Sequence, residues 1–290
     1  SSFHTVLNAQ SYLIKNGFEE VDFNEDWQLK ADKKYFTKIY DSTLIAFIPH
    51  QNLREGMKIA VSHTDFPCLK IKPNADIMQN DYGKLNVEIY GGMILNTWFD
   101  RPLSIAGKVV LKGQNCYQPD VKFVDFKRPL MIIPNLAIHM DRSINSGKSI
   151  SKQKEMLPIM GMANRETNEN ELFELMAKKL NIDKENILDY ELYLYPVDKG
   201  QLVGINADFI VTPRQDDLIM VYAASEALIN SPANDTTKMI AFFDAEEETN
   251  STQGEADTPF LRNTLTKIVK SIGGDEENLI RLISRSFAVS

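Results

Sequence analysis

Residues 57–70 read MKIAVSHTDFPCLK, an apolar run followed by a histidine and a carboxylate two positions apart, His63 and Asp65. A short apolar stretch without alternation suits a strand buried on both faces, which belongs inside a sheet covered by helices. Ligands of open α/β sheets gather at the carboxyl ends of such strands. His63 and Asp65 therefore stand where such a sheet takes its ligands, a placement that on its own also fits a histidine making one satisfied hydrogen bond.

The flanking segments extend this reading. FHTVLNAQSYLIKNGF places Phe3, Val6, Leu7 and Leu13 at helical spacing, with Gly17 as a C-cap. KKYFTKIY and STLIAFIP read as two strands. From Lys72 to about Val211 the texture changes to short strand-like pieces, KLNVEIY, AGKVVL, PLMIIP and ELYLYP, broken by Gly, Pro and Asn. Within that stretch ENELFELMAKKL is an amphipathic helix and SINSGKSISKQKE a polar surface loop. Helix and strand return with DLIMVYAASEALIN, KMIAFFD, PFLRNTLTKIVKSI and EENLIRLISR. The fold class expected is α/β, a central sheet flanked by helices with a β-rich insertion. The domains expected are residues 1–72 and 211–290 around an insertion at 73–210.

Composition narrows the function. A chain of 290 residues with 43% hydrophobic content can bury a full core. Its net charge of -8 argues against nucleic acid, which needs a basic face. No apolar run approaches the roughly 18 residues that span a bilayer, and the N-terminus lacks a signal-peptide layout. A cytoplasmic protein without membrane or nucleic-acid partners is expected. The two cysteines, Cys68 and Cys116, make neither a disulfide framework nor a Cys-rich zinc pattern.

Three acidic spots invite a common site. His63 and Asp65 end one core strand, Asp216 and Asp217 open a helix, and Asp244, Glu246 and Glu247 end another strand. One imidazole and several carboxylates form a ligand set for zinc or manganese, with a spare carboxylate as general base. Each spot also has an ordinary reading. A histidine commonly makes one satisfied hydrogen bond, the Asp pair suits a helix N-cap and first turn, and DAEEE suits a solvated turn.

The stretches HTDFPCLKIKP, VEIYGGMILNTWFDRPLSIAGKVV, IPNLAIHM, RQDDLIMVYAASEAL, FFDAEE and TQGEADTPFL, in this order, resemble the M18 metallo-aminopeptidases, the aspartyl aminopeptidase and aminopeptidase I family. The resemblance implies a catalytic domain interrupted by a β-rich dimerisation domain, and a homo-oligomer, a dodecamer built from dimers. It also implies peptide substrates and two divalent metal ions per subunit, usually zinc, with cobalt or manganese acceptable. Carried over by position, it makes His63, Asp216 and Glu247 metal ligands, with Asp216 bridging both metals. Asp65 becomes the carboxylate behind His63, Glu246 the general base, and His139 a donor reaching into a partner subunit's site. Trp98, Phe99, Asp100 and Arg101 are expected to serve packing and an ion pair.

Two departures accompany the resemblance. After Glu247 the chain reads ETNSTQGEA, where the family usually has EEVGS before its QGA motif. Family sequences also run on from the position of RSFAVS into a motif with a further metal-ligand aspartate, and later supply a histidine. A longer natural chain is therefore expected. If the chain ended at Ser290, the alternative would be a catalytically inert M18-like assembly or peptide-binding protein.

Overall fold

The computed structural model describes residues 1–162, 171–232, 235–248 and 254–290. The altered segment after Glu247 falls mostly on residues 249–253, outside the described residues. So do the first two residues of ENELFELMAKKL. The chain divides into two compact units, one of Ser2–Phe66 with Arg214–Ser290 and one of Pro67–Pro213.

The first unit opens with α1 (Ser2–Lys15), β1 (Glu19–Glu20), β2 (Tyr35–Ile39), β3 (Thr43–Ile48) and β4 (Met57–His63). Gly17, at φ +84°, ends α1 in the left-handed conformation that glycine takes at no steric cost.

The second unit is β-rich. It holds β5 (Cys68–Gln79), β6 (Tyr82–Tyr90), β7 (Pro102–Asn115), β8 (Gln118–Asp125), β9 (Met131–Ile132) and β10 (Ile159–Met162). The helix α2 (Glu171–Leu180) precedes β11 (Ile187–Pro196), β12 (Gln201–Val203) and β13 (Phe209–Val211). The main sheet runs β11-β5-β6-β10-β9-β7-β8, and an additional β11–β7 ladder closes it on itself. That ladder needs Gly107, because a Cβ there would sit 2.1 Å from the Glu191 carbonyl oxygen. Arg101 pairs with Asp198 at 2.8 Å, and Asp100 takes both the backbone N–H and the side-chain amide of Asn135 at 2.9 Å. Trp98 is buried.

The chain then returns to the first unit with α3 (Gln215–Ile229), β14 (Thr237–Phe243), α4 (Pro259–Ser271), α5 (Glu276–Ser284) and β15 (Phe287–Val289). The sheet order is β1-β2-β3-β14-β4-β15. The apolar run of β14 is buried along its whole length, as a strand covered on both faces must be. Met239, Ala241 and Phe243 face a core with Phe260, Leu265 and Ile268 of α4 and Leu279 and Leu282 of α5. Ile240 and Phe242 face the opposite core with Val6 and Leu13 of α1 and Val221 and Leu228 of α3. The two-residue period of the strand thus feeds both layers.

Candidate metal centre

Register places the acidic spots. β14 lies parallel to β4 with Phe243 opposite His63, so both strands end at one level. The residue after each strand leaves the sheet at the same edge, which brings HTD and DAEE together from distant parts of the chain. Thr64, fully buried, ties the two ends. Its backbone N–H donates to the Phe243 carbonyl at 2.8 Å, and its hydroxyl donates to the Ser42 carbonyl at 2.8 Å. Ala245 takes a left-handed φ of 63°, a costly choice for a residue with a Cβ, and turns the chain immediately before Glu246.

His63 is gripped at both ring nitrogens. Nδ1 lies 3.1 Å from the Asp65 carbonyl oxygen and 3.4 Å from Asp65 Oδ1. Nε2 faces three carboxylates: Asp216 Oδ1 at 3.1 Å, Asp217 Oδ2 at 3.8 Å and Glu246 Oε2 at 3.8 Å. Burial opposes a charge on the ring, but Asp65, Asp217 and Glu246 outweigh it and push the His63 pKa up to about 9. Burial, then the nearby Asp65 charge, also push the Glu247 carboxyl above its ordinary range. Crowded anions beside a ring that holds a proton make a place where a cation can replace that proton.

Asp65 is only 4% exposed and does more than face the histidine. Its Oδ1 accepts the Glu246 backbone N–H at 3.3 Å and its Oδ2 the Glu247 N–H at 3.1 Å. One buried carboxylate therefore sets both the imidazole and the turn carrying the two glutamates. Nothing in the spacing of HTD announces the second task.

Asp216 and Asp217 depart from a regular helix start. Their backbones are non-helical, at φ/ψ of -81°/110° and -119°/25°. The Asp217 carboxylate accepts the Ser62 hydroxyl at 2.8 Å and the His63 backbone N–H at 3.1 Å, and so is drawn back onto β4 instead of capping α3. Asp216 is left pointing outward, its side chain 84% exposed but still at His63. Two positions before Asp216, Arg214 has a left-handed φ of 62° and lays its guanidinium over the Phe66 ring at 5.5 Å.

His63, Glu246 and Glu247 each offer a ligand atom within 4.8 Å of the other two. An imidazole nitrogen and carboxylate oxygens are zinc donors, so this set suits a divalent cation. Asp216 joins the same cluster through His63. His139 belongs to the other unit, exposed on the turn 138–140, with Leu136, Ile138 and Met140 exposed around it. The sequence pattern did not single out Ser62, Thr64 or Asp217, whose hydrogen bonds hold the site. Only their adjacency to His63 and Asp216 hinted at them.

Known proteins resemble the chain along its whole length. A family model described as "Aminopeptidase I zinc metalloprotease (M18)" matches residues 1–290. A curated relative, "Probable M18 family aminopeptidase 2" of Clostridium acetobutylicum, is 46% identical over 294 residues, covering 100% of this chain and 68% of its own. Among solved structures, "Cryo-EM structure of the Ape4 and Nbr1 complex" superposes with a TM-score of 0.93 at 32% identity, covering 100% of this chain and 60% of that one. The mApe1 protein of Chaetomium thermophilum superposes with a TM-score of 0.89 at 28% identity, covering 100% and 71%. The chain thus spans between three fifths and about seven tenths of the length of these relatives. Its α/β catalytic fold with a β-rich insertion is theirs, and the chain belongs to the M18 family, the aminopeptidase I zinc metalloproteases, a family of peptide-bond hydrolases.

Proposed function

We propose that the chain carries the metal-binding part of an aminopeptidase that removes N-terminal amino acids from peptides with a metal-activated water and a glutamate general base. The observation that carries this reading is the convergence of His63, Glu246 and Glu247 within 4.8 Å. It occurs where β4 and β14 end in register, in a chain of a zinc metalloprotease family.

His63, Asp216 and Glu247 would hold the divalent cations, zinc in the first instance and cobalt or manganese as substitutes. When bound, the cations supply Lewis-acid polarisation of the scissile carbonyl and lower the pKa of water. Asp65 accepts the second ring N–H of His63, fixing the tautomer and strengthening the imidazole as a donor. Glu246, 64% exposed at its side chain, takes the proton from the attacking water and returns it to the departing amine. The neighbouring carboxylates hold the free α-ammonium of the peptide, which an internal peptide bond does not offer.

His139 serves the same reaction from a partner subunit, as a hydrogen-bond donor to the developing oxyanion. Its exposed turn leaves it available for that role. The protein is a cytoplasmic homo-oligomer, assembled as a dodecamer from dimers. The apolar side chains exposed on β12 and β13, Leu202, Phe209 and Ile210, support a buried interface on the β-rich unit. No described helix is long and apolar enough to cross a membrane.

The test is hydrolysis of aminoacyl p-nitroanilides and dipeptides by the purified protein. Activity should vanish with a chelator and return with zinc. Retention of full activity after exhaustive chelation would refute the reading, as would zinc binding that survives combined replacement of His63 and Glu247.

A further inference from the structure

The turn that carries His139 is held without burial. Residues 134–140 are all exposed, so no packed core fixes the backbone that presents the ring. Ordering such a stretch costs conformational entropy, which polar anchors must offset. Two anchors flank it. Upstream, the Asp100 carboxylate accepts the backbone N–H and the side-chain amide of Asn135, each at 2.9 Å. Downstream, the backbone N–H groups of Met140 and Asp141 both donate to the Ala137 carbonyl, at 2.8 and 3.3 Å, and close the turn. The Asp141 carboxylate then accepts the Ser143 hydroxyl on Oδ1 and the Lys148 ammonium on Oδ2, each at 2.7 Å.

Lys148 is the centre of the downstream anchor. Its ammonium also donates to Glu155 Oε1 at 2.6 Å, and Glu155 Oε2 accepts the Ser151 N–H at 2.8 Å. Beyond Glu155 the chain is buried at Met156 and joins the sheet, the Pro158 carbonyl accepting the Leu85 N–H at 3.0 Å just before β10. One cation thus ties the His139 turn to the sheet across the loop 141–155. Hydrogen bonds to ionised partners are the strong ones, and those from Lys148 hold both carboxyls below their ordinary range. The same loop borders a cavity of about 600 Å³ lined in part by Asn135, Leu136, Asp141, Ile144, Lys148 and Glu155. Open space stands there in place of a core that could support the turn.

We propose that Lys148 is a positioning residue for the peptidase reaction, bridging Asp141 and Glu155 so that the His139 turn keeps the conformation that serves the partner subunit's site. The inference rests on the reading of His139 as an oxyanion donor in trans. Such a donor works only when held within about 0.5 Å of its productive place. A turn that wanders brings the ring to the site for part of the time. Loss of the bridge therefore lowers kcat and leaves KM near native, the mark of an interaction made in the transition state.

The experiment measures kcat and KM on the most rapidly hydrolysed aminoacyl p-nitroanilide, with the zinc-loaded full protein and the variants H139A, K148M, K148R and H139A/K148M. H139A should lower kcat by about 10²–10³-fold, the usual cost of one oxyanion donor. K148M should lower it by about 10–100-fold with KM within about twofold of native, and K148R should recover most of the loss. In the H139A background K148M should cost less than about twofold more, because a positioning residue does nothing once the group it positions is gone. Coexpressed K148M and E246Q subunits should be more active than either alone, since each K148M site keeps its Glu246 and receives His139 from an intact turn. A loss in H139A with none in K148M would overturn the inference and leave the reading of His139 standing, as would losses that multiply in the double variant. Zinc lost from K148M would also overturn it, by placing the effect at the metal centre. A K148M mixture that does not recover overturns the inference if coexpressed H139A and E246Q recover, and the reading of His139 if they do not. Native activity in H139A overturns both. If K148M does not fold, E155Q, which cuts the same bridge at its more exposed end, takes its place throughout.

Discussion

Asp65→Asn is the sharpest perturbation of the metal centre, because it keeps the shape of a side chain that is 4% exposed and changes only its charge and hydrogen bonding. The native carboxylate spends one oxygen on each of two backbone N–H groups, at 3.3 and 3.1 Å, while facing His63 Nδ1 at 3.4 Å. An amide keeps one accepting oxygen and turns an NH2 group toward the other donor. One charge-assisted bond is lost, on the order of 1.5–3 kcal/mol. For the metal-free fold an opposing term exists, since removing one anion relieves its repulsion with Glu247 and Glu246. Thermal stability should therefore change little. Metal affinity has no such compensation. Its imidazole ligand loses the acceptor that orients it, and the turn carrying Glu246 and Glu247 loses an anchor, so zinc should bind about 10–100-fold more weakly. Competition against a fluorescent chelator measures this. An affinity within twofold of native, in a folded variant, would refute the view that Asp65 organises the site.

Three further outcomes are expected. Glu246→Gln should lower kcat by about 10²–10⁴-fold while zinc content by elemental analysis stays unchanged, and a parallel loss of zinc would reassign the residue as a ligand. Gly107→Ala should destabilise the β-rich unit by at least about 1–3 kcal/mol in urea, because its Cβ would lie 2.1 Å from the Glu191 carbonyl oxygen on the paired strand. Burial alone would raise the Glu191 carboxyl, but the Tyr193 hydroxyl at 2.7 Å and the Lys70 ammonium at 3.2 Å prevail and hold it below its ordinary 4.5. A depressed carboxylate pKa contributes stability above the unfolded value that is lost as pH falls through the folded one. Lys70→Met should therefore flatten the decline of melting temperature below about pH 4.5, and an unchanged slope would discount the pair.

How far the site could be read from residues alone follows from the range of the forces involved. KMIAFFD is legible as a buried strand because hydrophobic pattern is local, and the described helices announce themselves by spacing, whereas MKIAVSH forms a strand that is only partly buried, with Lys58 exposed and Ile59, Ala60 and Val61 half-buried. The common site of His63 and Glu247 follows from both lying at strand ends only once those strands are placed side by side in one sheet, and the family resemblance assigned their roles. Pairing partners are not written in a strand: β14 lies between β3 and β4, which are consecutive in the chain. The non-helical backbone at Asp216 and Asp217 was hidden for a related reason. An acidic pair before an apolar helical run is the ordinary mark of a helix start, and only the pull of Ser62 and the His63 N–H on Asp217 overrides it. The closed sheet of the β-rich unit depends on Gly107, which in sequence is one glycine among fourteen.

The place of β14 also orders events during synthesis. β3 and β4 leave the ribosome early, yet they do not pair with each other, and the strand that joins them starts only at Thr237. The β-rich unit, Pro67–Pro213, is complete before that strand emerges and holds its own ladders. Pairings so distant in sequence form slowly. The half of the centre on β4 therefore waits, with its apolar faces open, until Thr237–Phe243 inserts and carries Glu246 and Glu247 to His63. A nascent chain halted before that insertion should already contain a protease-resistant β-rich unit and bind no zinc.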